Sequence, residues 1–287
     1  MSRSNIARLL VSCPDRSGIV AALSTALADA GANITSSDQF SSDPEGGRFS
    51  LRMEFYLPDA DERFPLIEQR IGEIGQELEL DYRLVDARQH KRVALFVSKY
   101  DHCLRDLLWR WNHGELEMDV VMVVSNHPDL AVEAARFGVP YHHIPVSKAS
   151  RPQAEAAQLE LLREQGGVDL VVMARYMQVL SADFLEKVGA PVINIHHSFL
   201  PAFAGANPYQ RAYHRGVKLI GATAHYATED LDEGPIIEQD VVRVTHREDA
   251  AALERIGADV ERLVLARAVE RHLQDRVLLQ GHRTVVF

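Results

Sequence analysis

The sequence predicts an α/β protein in two parts: a small βαββαβ sandwich over residues 1–88 and an open, mostly parallel sheet with helices on both faces over residues 89–287. Three observations predict it. Apolar residues recur with strand-like and helix-like periods in alternation along nearly the whole chain. The order of these elements changes at the charged run DARQHKR, residues 86–92, which reads as a short hinge. A length of 287 residues with 46% apolar side chains suffices for two cores.

In the first part, residues 6–12 alternate as a strand. Residues 15–30 set Ile19, Val20, Leu23 and Leu27 on one helical face, which Gly31 ends. Residues 33–40 and 48–57 alternate as strands around a polar turn, 64–78 form a second amphipathic helix, and 81–88 a last strand. That order is the ferredoxin-like arrangement. In the second part, strand 93–98, helix 103–112, strand 118–125, helix 130–137, short strand 141–144, helix 153–164, strand 170–173 and strand 192–195 follow one another. Such alternation requires crossovers and hence a largely parallel sheet. Two further alternating runs, 222–227 and 235–244, flank a polar turn; an amphipathic helix is expected over 250–274 and a final strand over 277–287.

Composition narrows the function classes. A net charge of −10 argues against nucleic acid or an anionic membrane surface as partner, since both require a basic face. No run approaches the ~18 apolar residues of a membrane span, and the N-terminus lacks an apolar signal core followed by a cleavage site. Only Cys13 and Cys103 occur, too few for a disulfide framework or a cysteine-rich zinc site. The paired histidines 142–143 and 196–197 are sequence neighbours whose side chains diverge in a strand, so neither pair chelates by itself. A cytoplasmic enzyme with no metal and no dissociable cofactor is the expectation.

The stretch PVINIHHSFLP, residues 191–201, carries the most chemical information. Asn194 and His196 are two apart at the end of a β-like run, so they project to the same face. Open α/β sheets bind ligands where parallel strands give way to loops. Alternatively, Asn194 caps a turn and His196 is a satisfied core histidine. Some thirty residues on, GATAHYATEDLDEGPIIEQDVVRV places Asp232 in the turn between two strands, where Asp, Gly and Pro are also common for purely structural reasons. An amide, an imidazole and a carboxylate on loops at strand ends supply oxyanion donors and a base, the minimum for acyl transfer or hydrolysis without a covalent nucleophile.

The run NIHHSFLPAFAGANPY and the element LDEGPII resemble the folate-dependent formyltransferase family, over roughly residues 93–240. The resemblance implies catalytic roles for Asn194, His196 and Asp232. It also implies an apolar slot for the pterin lined by Tyr176, Met177, Val179 and Leu180, with backbone of Ala227, Thr228 and Leu231 along its edge. Met177 and Leu180 are equally good core residues. Ser198 and Gly205 would shape the Asn194 loop. His225 would support Asp232 or simply fill the sheet, and Arg175 would pair near Asp232 or with the substrate's glutamate tail.

The opening CPDRSGIVAALSTALADAGANI resembles an ACT domain, which implies a small amino-acid effector near Asp15, Gly18 and Asn33, or a role only in forming a homo-oligomer, dimer or tetramer. An ACT module ahead of this catalytic part resembles the layout of formyltetrahydrofolate deformylases. That family implies hydrolysis of 10-formyltetrahydrofolate to tetrahydrofolate and formate, balancing one-carbon pools for purine synthesis, with folate as substrate. Two alternatives stay open: formyl transfer to glycinamide ribonucleotide, and a silent folate or amino-acid sensor. Against the first, a phosphate cradle after strand 93–98 needs glycine, and no glycine lies between Val97 and Arg110.

Overall fold

The computed structural model describes residues 5–43, 45–202 and 208–287, which form two compact units. The first unit holds β1 (Ile6–Pro14), α1 (Ile19–Asp29), β2 (Asn33–Ser41), β3 (Arg48–Tyr56), α2 (Ala60–Leu78) and β4 (Asp81–Asp86). Its sheet runs β2-β3-β1-β4 with every neighbouring pair antiparallel, the expected βαββαβ sandwich. One face of that sheet and the two helices bury Leu9, Val11, Leu23, Leu27, Leu51, Met53, Phe55, Ile67 and Ile71.

The second unit, Lys91–Leu273, contains β5 (Lys91–Val97), α3 (His102–Asn112), β6 (Met118–Ser125), α4 (Ala131–Arg136), β7 (Tyr141–His143), α5 (Arg151–Glu164), β8 (Leu170–Met173), α6 (Ala182–Lys187), β9 (Val192–His196), α7 (Pro208–Arg215), β10 (Leu219–Tyr226), β11 (Ile236–Arg243) and α8 (Ala250–Leu273). The strand order is β11-β10-β9-β8-β5-β6-β7. The five strands from β9 to β7 are parallel, while β10 and β11 join antiparallel at one edge. The chain moves outward from β5 through β6 to β7 and then returns to β8 on the other side of β5, a switch point of the kind where such sheets open a crevice. Lys91 Nζ donates to the carbonyls of His272 and Leu273, giving the last carbonyls of α8 a cationic partner.

Three features depart from the sequence expectation. Helices α6 and α7 were not expected; α6 is held by Ser181, whose hydroxyl accepts from the Phe184 N–H and hydrogen-bonds Glu155, with Phe184 fully buried. Residues 277–287 form not one strand but a hairpin, β12 (Val277–Gln280) and β13 (Arg283–Val286), turning at Gly281. That hairpin groups with the first unit, so the second part does not extend to 287.

The cause is electrostatic. The second face of the β2-β3-β1-β4 sheet carries the buried guanidinium groups of Arg8 and Arg52. Arg8 pairs with Glu54 at 3.0 Å and Asp275 at 3.2 Å, Arg83 reaches Asp275 at 3.0 Å, and Arg52 donates to the Gln274 carbonyl at 3.1 Å. Buried charges need partners, and the C-terminal segment supplies them.

Candidate active site

Asn194 and His196 lie on β9, with their side chains on one face as the strand period requires. Antiparallel pairing of β9 with β10 sets Asn194 directly opposite His225, and the Asn194 Nδ2 lies 3.2 Å from His225 Nε2. His225 Nδ1 is 2.9 Å from the Tyr226 carbonyl, which can only accept, so Nδ1 carries the proton and Nε2 accepts from the amide. Burial pushes the His225 imidazole below its ordinary pKa, which outweighs the raising effects of that hydrogen bond and of Asp232.

Asp232 comes from the β10–β11 connection. Its backbone is left-handed, φ +60°, and Gly234 follows so closely on the end of β10 that a Cβ there would sit 1.8 Å from the Tyr226 carbonyl oxygen. Glycine at 234 therefore lets the loop fold back, helped by the Tyr226 N–H donating to the Pro235 carbonyl at 2.9 Å. The result is an Asp232 Oδ1 3.2 Å from His196 Nδ1 and 3.9 Å from His225 Nε2, with the Asp232 side chain only 7% exposed. His196 Nε2, on the far side of the ring, finds no hydrogen-bond partner among the described residues.

These groups open onto a cavity of about 280 Å³ at the carboxyl ends of β8 and β9. Met177, Val179, Leu180, Ala227, Thr228 and Leu231 line it as expected, and Met177, Val179 and Leu231 keep 50%, 44% and 57% of their surface exposed. Of the other residues singled out, Tyr176 is almost wholly buried and Ser198 braces its own loop. Tyr176 touches the cavity, but its ring is buried edge-on against Phe96 and its hydroxyl accepts from Gln158. Ser198 is absent from the lining; its hydroxyl donates to the Ala202 carbonyl at 2.7 Å and holds its own turn. Gly205 lies outside the described residues.

His197 and Gln178 line the cavity without having been singled out as binding residues, whereas Arg175, expected to pair near Asp232 or with the glutamate tail, lines it with its Nε 3.3 Å from Glu261 instead. Burial, followed by the neighbouring Arg175 charge, lowers the His197 pKa to about 3. The left-handed φ of Arg175 (+65°) and Met177 (+57°) turns consecutive side chains in directions a strand would not allow.

One donor set beyond this pocket has the spacing of a metal site: His102, Cys103 and Glu261, with ligand atoms within 4.8 Å of one another. It does not suit a cation. Arg175 Nε already lies 3.3 Å from Glu261, and burial raises the Cys103 thiol well above its ordinary value, so it stays protonated. In the first unit, the three candidate effector residues do not converge. Asp15 and Gly18 precede α1, with Asp15 accepting from the Ser41 hydroxyl at the end of β2. Asn33 follows α1, whose eleven residues separate the groups by roughly 16 Å.

The formyl transferase family model matches residues 91–269 and the ACT domain model residues 7–75. The formyltetrahydrofolate deformylase of Mycobacterium bovis is 59% identical over 285 residues, spanning 99% of this chain and 91% of its own. The Bacillus subtilis formyltetrahydrofolate deformylase is 52% identical, spanning 98% and 93%. The chain belongs to the formyltetrahydrofolate deformylase family. A crystal structure of the Pseudomonas syringae pv. tomato deformylase superposes with a TM-score of 0.92 at 46% identity, covering 98% of this chain and 94% of that one. This member of the deformylase family thus has the ACT and formyltransferase-fold parts in the order its elements predict, and among its described residues no helix is long and apolar enough to cross a membrane.

Proposed function

We propose that this protein hydrolyses 10-formyltetrahydrofolate to tetrahydrofolate and formate. The observation that carries the reading is that Asn194, His196 and Asp232 line one cavity, with the Asp232 carboxylate 3.2 Å from His196 Nδ1 and the Asn194 amide held by His225. Full-length likeness to deformylases supports it independently.

In this scheme the pteridine lies against the apolar side of Met177, Val179, Leu180 and Leu231, while the formyl group points to β9. His225 ties up one Asn194 amide N–H, which leaves the second for the formyl oxygen as it gains charge. His196 donates Nδ1–H to Asp232 and presents Nε2 to a water molecule. The water oxygen bonds to the formyl carbon as Nε2 takes its proton. The C–N10 bond then breaks with its electron pair going to N10, and the imidazolium returns the proton there. Formic acid ionises on release. Asp232 stabilises the imidazolium between those steps and holds the ring in the productive tautomer. Folate is the substrate throughout, and the scheme uses no other organic group.

The test is formate release from 10-formyltetrahydrofolate, with and without glycinamide ribonucleotide. Hydrolysis predicts equal formate in both and no formylated nucleotide. Turnover only in the presence of the nucleotide would overturn the reading, as would none in either.

A further inference from the structure

Arg175 stands between two cavities. It lines the pocket holding Asn194 and His196, and also a second cavity of about 350 Å³ bounded by Tyr100, His102, Ala258 and Glu261. Its side chain is 4% exposed and its Nε lies 3.3 Å from Glu261 Oε2, an ion pair without the alignment of a hydrogen bond. The Tyr100 ring covers the guanidinium at 4.6 Å. Glu261 is held in turn by His102 at 2.8 Å and by the Tyr209 hydroxyl.

This arrangement is poor economy for stability alone. A non-glycine residue at φ +65° is strained, because its Cβ crowds the following carbonyl. Arg175 Nη1 is buried with no hydrogen-bond partner among the described residues, a further penalty. Glycine would relieve the strain at that φ, yet the position holds a large cation clamped from α8 and the loop after β5. The side chain is common to the walls of both cavities.

We infer that Arg175 selects the nucleophile: its guanidinium walls the formyl site off from the second cavity, so that water reaches the formyl carbon and primary amines do not. The inference rests on the hydrolytic reading above. An amine passing the wall would bond through nitrogen to the formyl carbon, the C–N10 pair would go to N10, and the proton lost by the amine would end there, giving a formamide and tetrahydrofolate. Water runs the same exchange through oxygen and gives formate. Arg175 touches neither proton path in the hydrolysis; it decides which nucleophile starts it.

The experiment incubates the full chain at about pH 8.5 with 10-formyltetrahydrofolate and glycinamide, a small primary amine that is largely free base there, and quantifies formate, N-formylglycinamide and tetrahydrofolate. Wild-type protein should give formate alone. Arg175→Gly suits the backbone angle and joins the cavities, so its ratio of N-formylglycinamide to formate should rise at least about tenfold, equivalent to about 1.4 kcal/mol. The double variant R175G/E261Q removes the buried pair together and should behave alike. Tyr100→Ala, at a position 42% exposed, frees the guanidinium to swing away and should raise the ratio at least about threefold.

Folded variants that release formate with the wild-type product ratio overturn the inference while leaving the hydrolytic reading intact. Y100A decides alone should the two core variants fail to fold. A wild-type protein that releases no formate without amine sinks the hydrolytic reading instead, whatever the variants do.

Discussion

Replacing Asp232 by Asn tests the proposed chemistry at its narrowest point. The substitution keeps size and shape but removes a carboxylate oxygen 3.2 Å from His196 Nδ1, between side chains that are 5% and 7% exposed. At an effective dielectric of about 20, a unit pair at that distance attracts by about 5 kcal/mol, of which a charge-assisted hydrogen bond retains about 1.5–3 kcal/mol net. The amide can also present N–H to Nδ1, which moves the imidazole proton to Nε2, the atom that has to accept from water. His225 cannot take over: burial keeps it neutral, and its Nε2 already accepts from Asn194. Loss of the base together with the imidazolium's partner predicts a fall in kcat of about 10³–10⁴. KM should change little, because the apolar slot is untouched. Formate release under saturating substrate measures the first, and a thermal melt establishes that the variant is folded. A folded D232N protein keeping more than about a tenth of wild-type kcat would refute the assignment of Asp232.

Three other outcomes follow from the same geometry. Asn194→Ala deletes one oxyanion donor and should raise the barrier by about 2.7–4 kcal/mol, read as a loss in kcat at nearly unchanged KM; a pure KM effect would mean that Asn194 only binds. His197→Gln should flatten the pH dependence of stability. With a folded pKa of about 3 against 6.5 unfolded, His197 takes up its proton only in the unfolded chain between those values, so wild-type stability falls as pH drops through 6.5, by up to about 1.4 kcal/mol per unit. Melts from pH 7.5 to 4.5 should be steeper for wild type than for H197Q, and parallel curves would contradict the burial assigned to that ring. Gly234→Ala forces a methyl to within 1.8 Å of the Tyr226 carbonyl, so the Asp232 loop must shift; about 1–3 kcal/mol of stability and most of kcat should go together. Unimpaired turnover would show that the loop position is not critical.

Much of the fold was legible because periodicity reports burial directly. Strands β6 and β8 coincide with their expected residues, and the i, i+2 spacing of Asn194 and His196 was enough to place both on one face. What stayed hidden depends on partners remote in sequence. Arg8 and Asp275 are 267 residues apart, and nothing local in 274–287 announces that it answers a buried charge in β1. Helix α6 has only six residues, too few for a periodic signal, and rests on the Ser181 cap instead. The loop after β8 was legible only in part. Tyr176 and Met177 both line the cavity, but left-handed backbone at Arg175 and Met177 leaves the tyrosine almost wholly buried and Met177 half exposed. No glycine marks those turns, so composition carries no warning of them.

The pocket gathers three imidazoles, and its environment separates their work. His225 and His197 are both held below their ordinary pKa, chiefly by burial, and so resist protonation when substrate arrives. His225 spends its two nitrogens on the Tyr226 carbonyl and the Asn194 amide, which makes it a support for the oxyanion donor. Only His196 has a carboxylate at hydrogen-bond distance on one nitrogen and an unpartnered nitrogen on the other among the described residues. In the proposed hydrolysis, a proton taken from water at His196 Nε2 meets the Asp232 carboxylate across the ring. The strand order makes that division possible: β9 lies between parallel β8 and antiparallel β10, so its end receives the hydrogen-bonded register of one neighbour and the open crevice of the other.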